Sequence, residues 1–290
     1  MANDLLNDIR LKQPGFSKGQ KLIASFITGH YDKAAFMTAS KLGNTVGVSE
    51  STVVRFAAEL GFEGYPELQK ELQELIRNKL TSVQRIEVSD DLITAGDVLE
   101  KVLNSDIEKI RKTLSEVSRK DFNGAVDAIS GASTVYILGV RSASALADFL
   151  GFYFRLILLD SRLVDTSGVS EIYEQIMRVS KDDVVIGISF PRYSSRTVKA
   201  LQYASDRGAA VVAVTDSLTS PLTRYARYTL LARSDMASFV DSLVAPLSLI
   251  NALIAAVGLK RREEVYKTFA ELEHIWDEYE VYEKAEDTEV

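Results

Sequence analysis

Two short loops of this 290-residue sequence gather the side chains best equipped to hold an anion. They are Gly139-Val140-Arg141-Ser142-Ala143-Ser144 and Ser189-Phe190-Pro191-Arg192-Tyr193-Ser194-Ser195. Each follows a short apolar run and leads into an amphipathic one, so each sits where a strand passes into a helix. A helix amino terminus offers unpaired N–H groups and the positive end of its dipole, which suits phosphate. Serine hydroxyls add donors, and Arg141 and Arg192 add charged forks matched to an oxyanion. Arg141, Ser142, Ser144, Ser189, Arg192, Ser194 and Ser195 are therefore the expected ligand-binding residues, for a small phosphorylated or otherwise anionic metabolite. The same serines would also serve as plain helix caps. Neither loop has the G-x-G-x-x-G spacing of a dinucleotide site or a Gly-Lys-Ser/Thr phosphate loop, and no cofactor is expected.

A third constellation lies in the stretch from Met37 to Leu68. Thr38 is placed to cap a short helix, Gly47 to turn the chain, and Ser49 to cap a second helix with its hydroxyl. Gly61 is placed to end that helix. At about 100° per residue, Val53, Phe56, Ala57 and Leu60 fall on one side and Ser51, Arg55, Ala58 and Glu59 on the other. Two helices about a glycine turn, the second carrying short polar groups and an arginine outward, form the pattern of a major-groove reader. Ser49, Ser51, Thr52, Arg55 and Glu59 are the expected DNA-binding residues.

The composition closes off several other chemistries. There is no cysteine, and the two histidines, His30 and His274, stand far apart. No metal site is expected, and no disulfide framework is possible. Asp165, Glu171, Asp216 and Asp241 are available carboxylates, but none is marked out as a general base; no catalytic residue and no enzyme activity are expected. The net charge of −7 is a tail property: residues 1–78 and 79–260 are each neutral, and residues 261–290 hold 4 basic against 11 acidic side chains. The amino-terminal residues lack the basic and apolar regions of a signal peptide. From Ser242 to Leu259 no residue is charged, yet Pro246, Ser248 and Asn251 interrupt the run. It reads as a buried helix, and the expected setting is cytoplasmic, away from membranes.

The elements that carry these residues define the fold class, α plus α/β. Residues 1–78 read as an all-helical helix-turn-helix domain, and residues 79–129 as a helical linker with a joint at Ser89-Asp90-Asp91. Within the linker, Leu99, Val102, Leu103, Ile107, Ile110 and Leu114 recur at helical spacing from about Val98 to Ile129. From 130 to 260, short Val- and Ile-rich strands alternate with helices, the pattern of a three-layer α/β/α domain with a parallel sheet. Its last helix is expected over Phe239–Val257. Residues 261–290 form an acidic helical tail.

Residues 17–76 resemble the amino-terminal domain of the RpiR/MurR family of transcriptional regulators. The resemblance rests on Ser49, Thr52, Val53, Arg55, Phe56, Leu60-Gly61-Phe62, Gly64-Tyr65 and Glu67-Leu68. Residues from about 130 to 260 resemble a sugar isomerase (SIS) domain, which in that family binds phosphorylated sugars and dimerises. The resemblance implies a double-stranded DNA operator, a sugar-phosphate effector, and a homodimer or tetramer. The family's second loop usually reads Ser-x-Ser-Gly-x-Thr; Ser189 keeps the first position, while Pro191, Arg192 and Ser194 replace the others. Arg141 replaces a glycine of the first loop. The two arginines either serve a more anionic ligand or pair with aspartates and seal the pocket. Thr166, Ser167, Gly168, Ser234 and Ser238 are further rim candidates. Two alternatives to a metabolite-controlled regulator stay open: a dimeric DNA-binding protein with no small ligand, and a sugar-phosphate isomerase.

Overall fold

The computed structural model describes residues 2–76, 97–158, 160–166, 168–235 and 240–282. Residues 79–96 of the expected linker, with the joint at Ser89-Asp90-Asp91, lie outside the described residues, as do Ser167 and Ser238. The chain forms two compact units that part between Lys101 and Val102.

The described part of the first unit is helical. Its helices are α1 (Ala2–Lys12), α2 (Lys18–Gly29), α3 (Tyr31–Ala34), α4 (Ala39–Val46), α5 (Glu50–Glu59) and α6 (Tyr65–Ile76). Ser17 opens α2 with a capping box: its hydroxyl accepts from the Gln20 N–H, and the Gln20 side chain accepts from the Ser17 N–H. The core is one cluster built from every helix, with Ile9, Ile23, Ile27, Leu42, Phe56 and Leu72 fully buried. Phe16 meets Phe56 edge to face at 5.2 Å. The carbonyls of Ala35 and Met37, just past the end of α3, lie beyond its helical hydrogen bonds. Helix α6 satisfies them: Tyr65 Oη donates to Met37 O at 2.8 Å, Gln69 Nε2 donates to the same carbonyl at 3.0 Å, and Gln73 Nε2 donates to Ala35 O at 3.0 Å.

Two helices, α7 (Val98–Glu116) and α8 (Arg119–Gly131), come next. The sequence pattern suggested one helical stretch here. It breaks at Val117-Ser118 because the Ser118 hydroxyl caps α8, accepting the Asp121 N–H at 3.1 Å. The order then runs β1 (Val135–Gly139), α9 (Ser142–Ile157), β2 (Ser161–Leu163), α10 (Val169–Ile176), β3 (Val184–Ile188), α11 (Ser195–Asp206), β4 (Ala210–Thr215), β5 (Tyr228–Leu231), α12 (Val244–Lys260) and α13 (Arg262–Glu278).

The strands pair in parallel in the order β2-β1-β3-β4-β5. Every residue of β1 and β3 is buried, as a sheet covered on both faces requires. Side chains alternate between faces. Val135 and Ile137 join Leu150, Phe154 and Leu253 beneath α8, α9 and α12, whereas Tyr136 and Leu138 join Ile172, Ile176 and Leu201 beneath α10 and α11. Helix α12 starts at Val244 rather than Phe239. That start leaves Pro246 in the first turn, where its missing N–H breaks no helical bond. Among the described residues, no single helix is long and apolar enough to cross a membrane.

Burial pushes the Tyr65 phenol up to about 12. The neutral phenol is the form that folding favours, so its stabilising contribution is intact below about pH 10 and fades as pH rises toward 12. Thermal melts across alkaline pH should show the wild type losing stability in that window more steeply than Tyr65→Phe. At neutral pH the variant should be less stable by about 1 kcal/mol, the usual net loss for one buried hydrogen bond.

Candidate functional site

The helix-turn-helix is built from α4, a tight turn and α5. Thr38 caps α4, its hydroxyl accepting the Lys41 N–H at 3.1 Å. The helix ends on Gly47 in the left-handed conformation, φ 76°. Gly43, one turn earlier, lies against the turn: a Cβ there would stand 2.7 Å from Val48 O. Only glycine lets α4 close this tightly on the start of α5.

Helix α5 holds Val53, Phe56 and Ala57 fully buried, with Leu60 partly so. Ser51, Arg55, Ala58 and Glu59 are exposed, and Thr52 is half-buried beside them. Arg55 Nε donates to Ser51 O at 3.3 Å, which lays the guanidinium back along the helix. Ser49 is the residue before the first turn, but its hydroxyl does not cap the helix as expected. The Thr52 N–H is already taken by Ser49 O at 2.9 Å, and Ser49 Oγ instead bonds Ser51 Oγ and Thr52 Oγ1, both at 2.9 Å. The result is a small hydroxyl cluster at the amino end of the exposed face. Sequence reasoning missed the neighbour of this cluster. Gly19 of α2 lies so close that a Cβ there would be 3.3 Å from Thr52 Cγ2. The exposed Lys18 thus opens α2 beside the same surface, a proximity hidden by the separation in sequence.

The second candidate lies at the carboxyl ends of β1, β2 and β3. Gly139 ends β1 where a Cβ would be 2.3 Å from Ala143 O, so α9 sits directly on the strand end. Arg141 precedes α9 with φ 60°, and its carbonyl accepts from Ser144 N–H at 3.0 Å and Ser144 Oγ at 2.6 Å. Arg141 and Ser142 are exposed, and Ser144 is half-buried. A cleft of about 550 Å³ opens here, lined by Arg141, Ser144, Asp148, Asp165, Thr166 and Arg196 among others. Arg196, in the first turn of α11, donates from Nη1 to Thr166 O at 3.0 Å.

The second polar loop is disposed differently. Ser189 is buried, and its Oγ accepts the Ser194 N–H at 3.0 Å. Ser194 in turn caps α11, its Oγ accepting the Thr197 N–H at 3.4 Å. Phe190 and Pro191 are buried, while Arg192 and Ser195 are exposed. Tyr193 Oη donates to the buried Asp216 at 2.9 Å. Of the seven expected ligand residues, Arg141 and Ser144 line the cleft; Ser142, Ser189, Arg192, Ser194 and Ser195 do not. Sequence reasoning missed Arg196 and Asp148, because each lies inside a helix rather than in a loop. Ser234 is buried, and its hydroxyl makes no hydrogen bond among the described residues.

A second groove, of about 460 Å³, runs along the β2 edge beside Arg162 and Arg178. Arg162 is bound twice to Asp160, at 3.1 and 2.7 Å. That hydrogen bonding holds the Asp160 carboxyl below its ordinary value and raises the guanidinium, so this arginine is occupied by a surface pair. Among the described residues no group of three His, Cys, Asp or Glu is placed to hold a metal.

Comparison with known proteins follows these two units. Residues 3–79 match the helix-turn-helix domain of the rpiR family, and residues 128–256 match the SIS domain. An HTH-type transcriptional regulator of Haemophilus influenzae is 30% identical over 235 residues, covering 79% of this chain and 80% of that one. Another from Caldanaerobacter subterraneus is 25% identical over 91% of this chain and 94% of that one. Among solved structures, the sugar isomerase domain of an RpiR transcription factor from Sphaerobacter thermophilus superposes with a TM-score of 0.58 at 27% identity, covering 61% of this chain and 99% of that one. The Vibrio vulnificus NanR protein complexed with ManNAc-6P superposes with a TM-score of 0.60 over 95% of this chain and 98% of that one. Its identity of 20% makes it a likeness of fold.

Gly43→Ala tests the closure of the helix-turn-helix. The added methyl must push Val48 O away, so denaturation should show a loss of about 1–3 kcal/mol, typical of overpacking. The same substitution at the exposed Gly29, where a Cβ would meet nothing within 4 Å, should give no such loss.

Proposed function

This chain belongs to the rpiR family of helix-turn-helix transcriptional regulators, and we propose that it works as a cytoplasmic, metabolite-controlled regulator whose α5 enters the major groove of operator DNA. Ser51, Thr52 and Arg55 meet phosphates and base edges, with Ser49 and Glu59 at the borders of the contact. The observation that carries this reading is the outward face of α5: polar, exposed, and held in place by a fully buried apolar seam. Residues 1–78 serve DNA binding, 79–129 link, 130–260 sense a small anionic or phosphorylated ligand, and 261–290 form an acidic tail. The fold shared with NanR in its ManNAc-6P complex supports that class of ligand. The chain acts by binding rather than by catalysis. Asp165 lines the cleft and Asp216 accepts from Tyr193, but no histidine lies in residues 31–273 to partner them as acid or base.

A regulator of this type reads two half-sites with two recognition helices, about one turn of DNA or a multiple apart. Helix α7 offers the assembly surface. Leu103, Ile107, Ile110 and Leu114 are each between 37% and 63% exposed. Their four-three-four spacing is that of an apolar seam between two helices. The opposite side of α7 is already fixed to its own unit: Thr113 Oγ1 accepts the Arg233 N–H at 2.9 Å, Glu116 pairs with the Arg233 guanidinium, and Asp106 accepts from Ser242 Oγ. A stripe that is apolar throughout is complementary to itself, so its occupant is a second copy of the chain, related by a two-fold axis.

Arg55→Ala should weaken operator binding by about 1–3 kcal/mol at fixed salt while leaving the melting temperature unchanged. An unaltered affinity would remove α5 from the contact. Ile107→Glu should convert the dimer to monomers in analytical ultracentrifugation and weaken binding to a two-half-site operator. An unchanged mass would place the assembly surface elsewhere.

A further inference from the structure

We infer that Val54 and Ala58 of α5 form a thymine-reading patch, which takes the C5-methyl group of one thymine in each half-site of the operator. The inference rests on reading α5 as the groove-entering helix and specifies a base that it selects.

The outward face of α5 is not polar throughout. At about 100° per residue, Ser51 divides it into two flanks. Thr52, Arg55 and Glu59 fall on one; Val54 and Ala58, a helical turn and about 40° apart, fall on the other. The bonds of the exposed polar groups stay on the first flank and at the amino end: Arg55 Nε donates to Ser51 O, and Ser49 Oγ bonds Ser51 Oγ and Thr52 Oγ1. Val54 is 42% exposed, and Ala58 is exposed beside it. Val53, Phe56 and Ala57 belong to the buried cluster of the first unit and Leu60 packs against it, whereas Val54 and Ala58 lie outside it. Valine is a poorer helix former than alanine, lysine or glutamate, so at a solvated position it adds nothing to the fold. Its apolar surface is left for whatever the outer face of α5 meets.

A recognition helix meets the floor of the major groove. Among the DNA bases only thymine places a methyl group there; the other base edges are read through hydrogen-bond donors and acceptors. A valine cannot pair with those groups, and covering one strips its water without replacing the bond. Against the thymine methyl the same contact is favourable, because it removes apolar surface from water on both sides. Ala58 keeps the next turn low, so that the helix approaches the base edge closely enough for the branched Val54 to reach the methyl. Arg55, on the other flank, is suited to guanine or phosphate. The two flanks of one helix thus select on different grounds, one by hydrogen bonds and one by apolar contact.

The test uses duplexes selected by the full wild-type chain from a random pool. Each selected half-site should hold a thymine at one fixed position. Replacing it by deoxyuridine in one half-site, which removes only the methyl, should weaken wild-type binding about fourfold, the worth of one buried methyl group. Val54→Ala should bind the thymine duplex as weakly as the wild type binds a duplex with uracil in both half-sites, and should no longer distinguish the two bases. Val54→Thr, which keeps one methyl branch, should retain part of the distinction. Neither variant should lower the melting temperature, because Val54 lies outside the core. Selected sites with no fixed thymine, wild-type indifference to uracil, or full distinction in Val54→Ala would overturn the assignment. Arg55→Ala should weaken thymine and uracil duplexes alike. A wild type blind to uracil, with that Arg55 effect intact, strikes the thymine patch alone; loss of the Arg55 effect strikes α5 as the reading helix and the patch with it.

Discussion

A helix of ten residues is not stable by itself in water, so everything α5 does depends on the seam of Val53, Phe56 and Ala57 that anchors it. That seam fixes more than position. Because each residue advances about 100° around the axis, burying those three side chains dictates that residues 51, 55, 58 and 59 face outward. The seam in turn needs its floor held still. Phe16 packs on Phe56, and α6 ties down the carbonyls that precede α4 through Tyr65, Gln69 and Gln73. Gly43 then sets how near α4 comes to the turn. The polar surface of α5 is thus a consequence of apolar packing on its other side.

The second unit obeys the same logic on a larger scale. A parallel sheet buried on both faces leaves no charged position along its central strands β1, β3 and β4, and charged groups gather at the strand ends and the β2 edge. The two ends are used differently. At the amino end the buried Asp183 accepts from the Thr134 N–H, the Ser180 N–H and the Ser180 hydroxyl, closing the edge. At the carboxyl end a cleft opens beside the loops after β1 and β2, and charged side chains line it. Gly139 permits this, since a larger residue would lift α9 off the strand and carry Arg141 away with it.

Much of this was legible in the sequence because it follows from periodicity and from turn residues. The outward and inward faces of α5, the caps at Thr38 and Gly47, and the alternation of strands and helices all come from local spacing. What escaped was set by contacts between distant segments. The break at Ser118 is a single hydroxyl inside an otherwise continuous helical pattern. Serines 189 and 194 each accept a backbone N–H from the loop or the helix it opens, a pairing that spacing cannot reveal. Arg196 reads as an ordinary solvent-facing helix residue until β1 and β3 are known to be neighbours. The leucines and isoleucines of α7 recur at helical spacing, yet the buried side of the helix is that of Lys109 and Thr113.

The cleft and the α7 face stand at opposite sides of the sheet, one above β1 and β2, the other tied to residues that follow β5. A ligand alters assembly or DNA binding only if it binds one arrangement better than another, so some element must be common to both sides. The sheet itself is a poor candidate, because a close-packed parallel core resists small displacements. Helix α9 is better placed. Its amino end carries Ser144 and Asp148 into the cleft, and its buried side packs Leu150 and Phe154 into the same cluster as Leu249, Ile250 and Leu253 of α12. Helix α12 follows directly on Ser242, the residue whose hydroxyl holds Asp106 of α7. The sixteen residues of α9 are long enough to join the strand end at Gly139 to the packing against α12 as one rigid element. Packed side chains and one hydrogen bond thus connect α9 to α12 and α12 to α7, with no strand in the path.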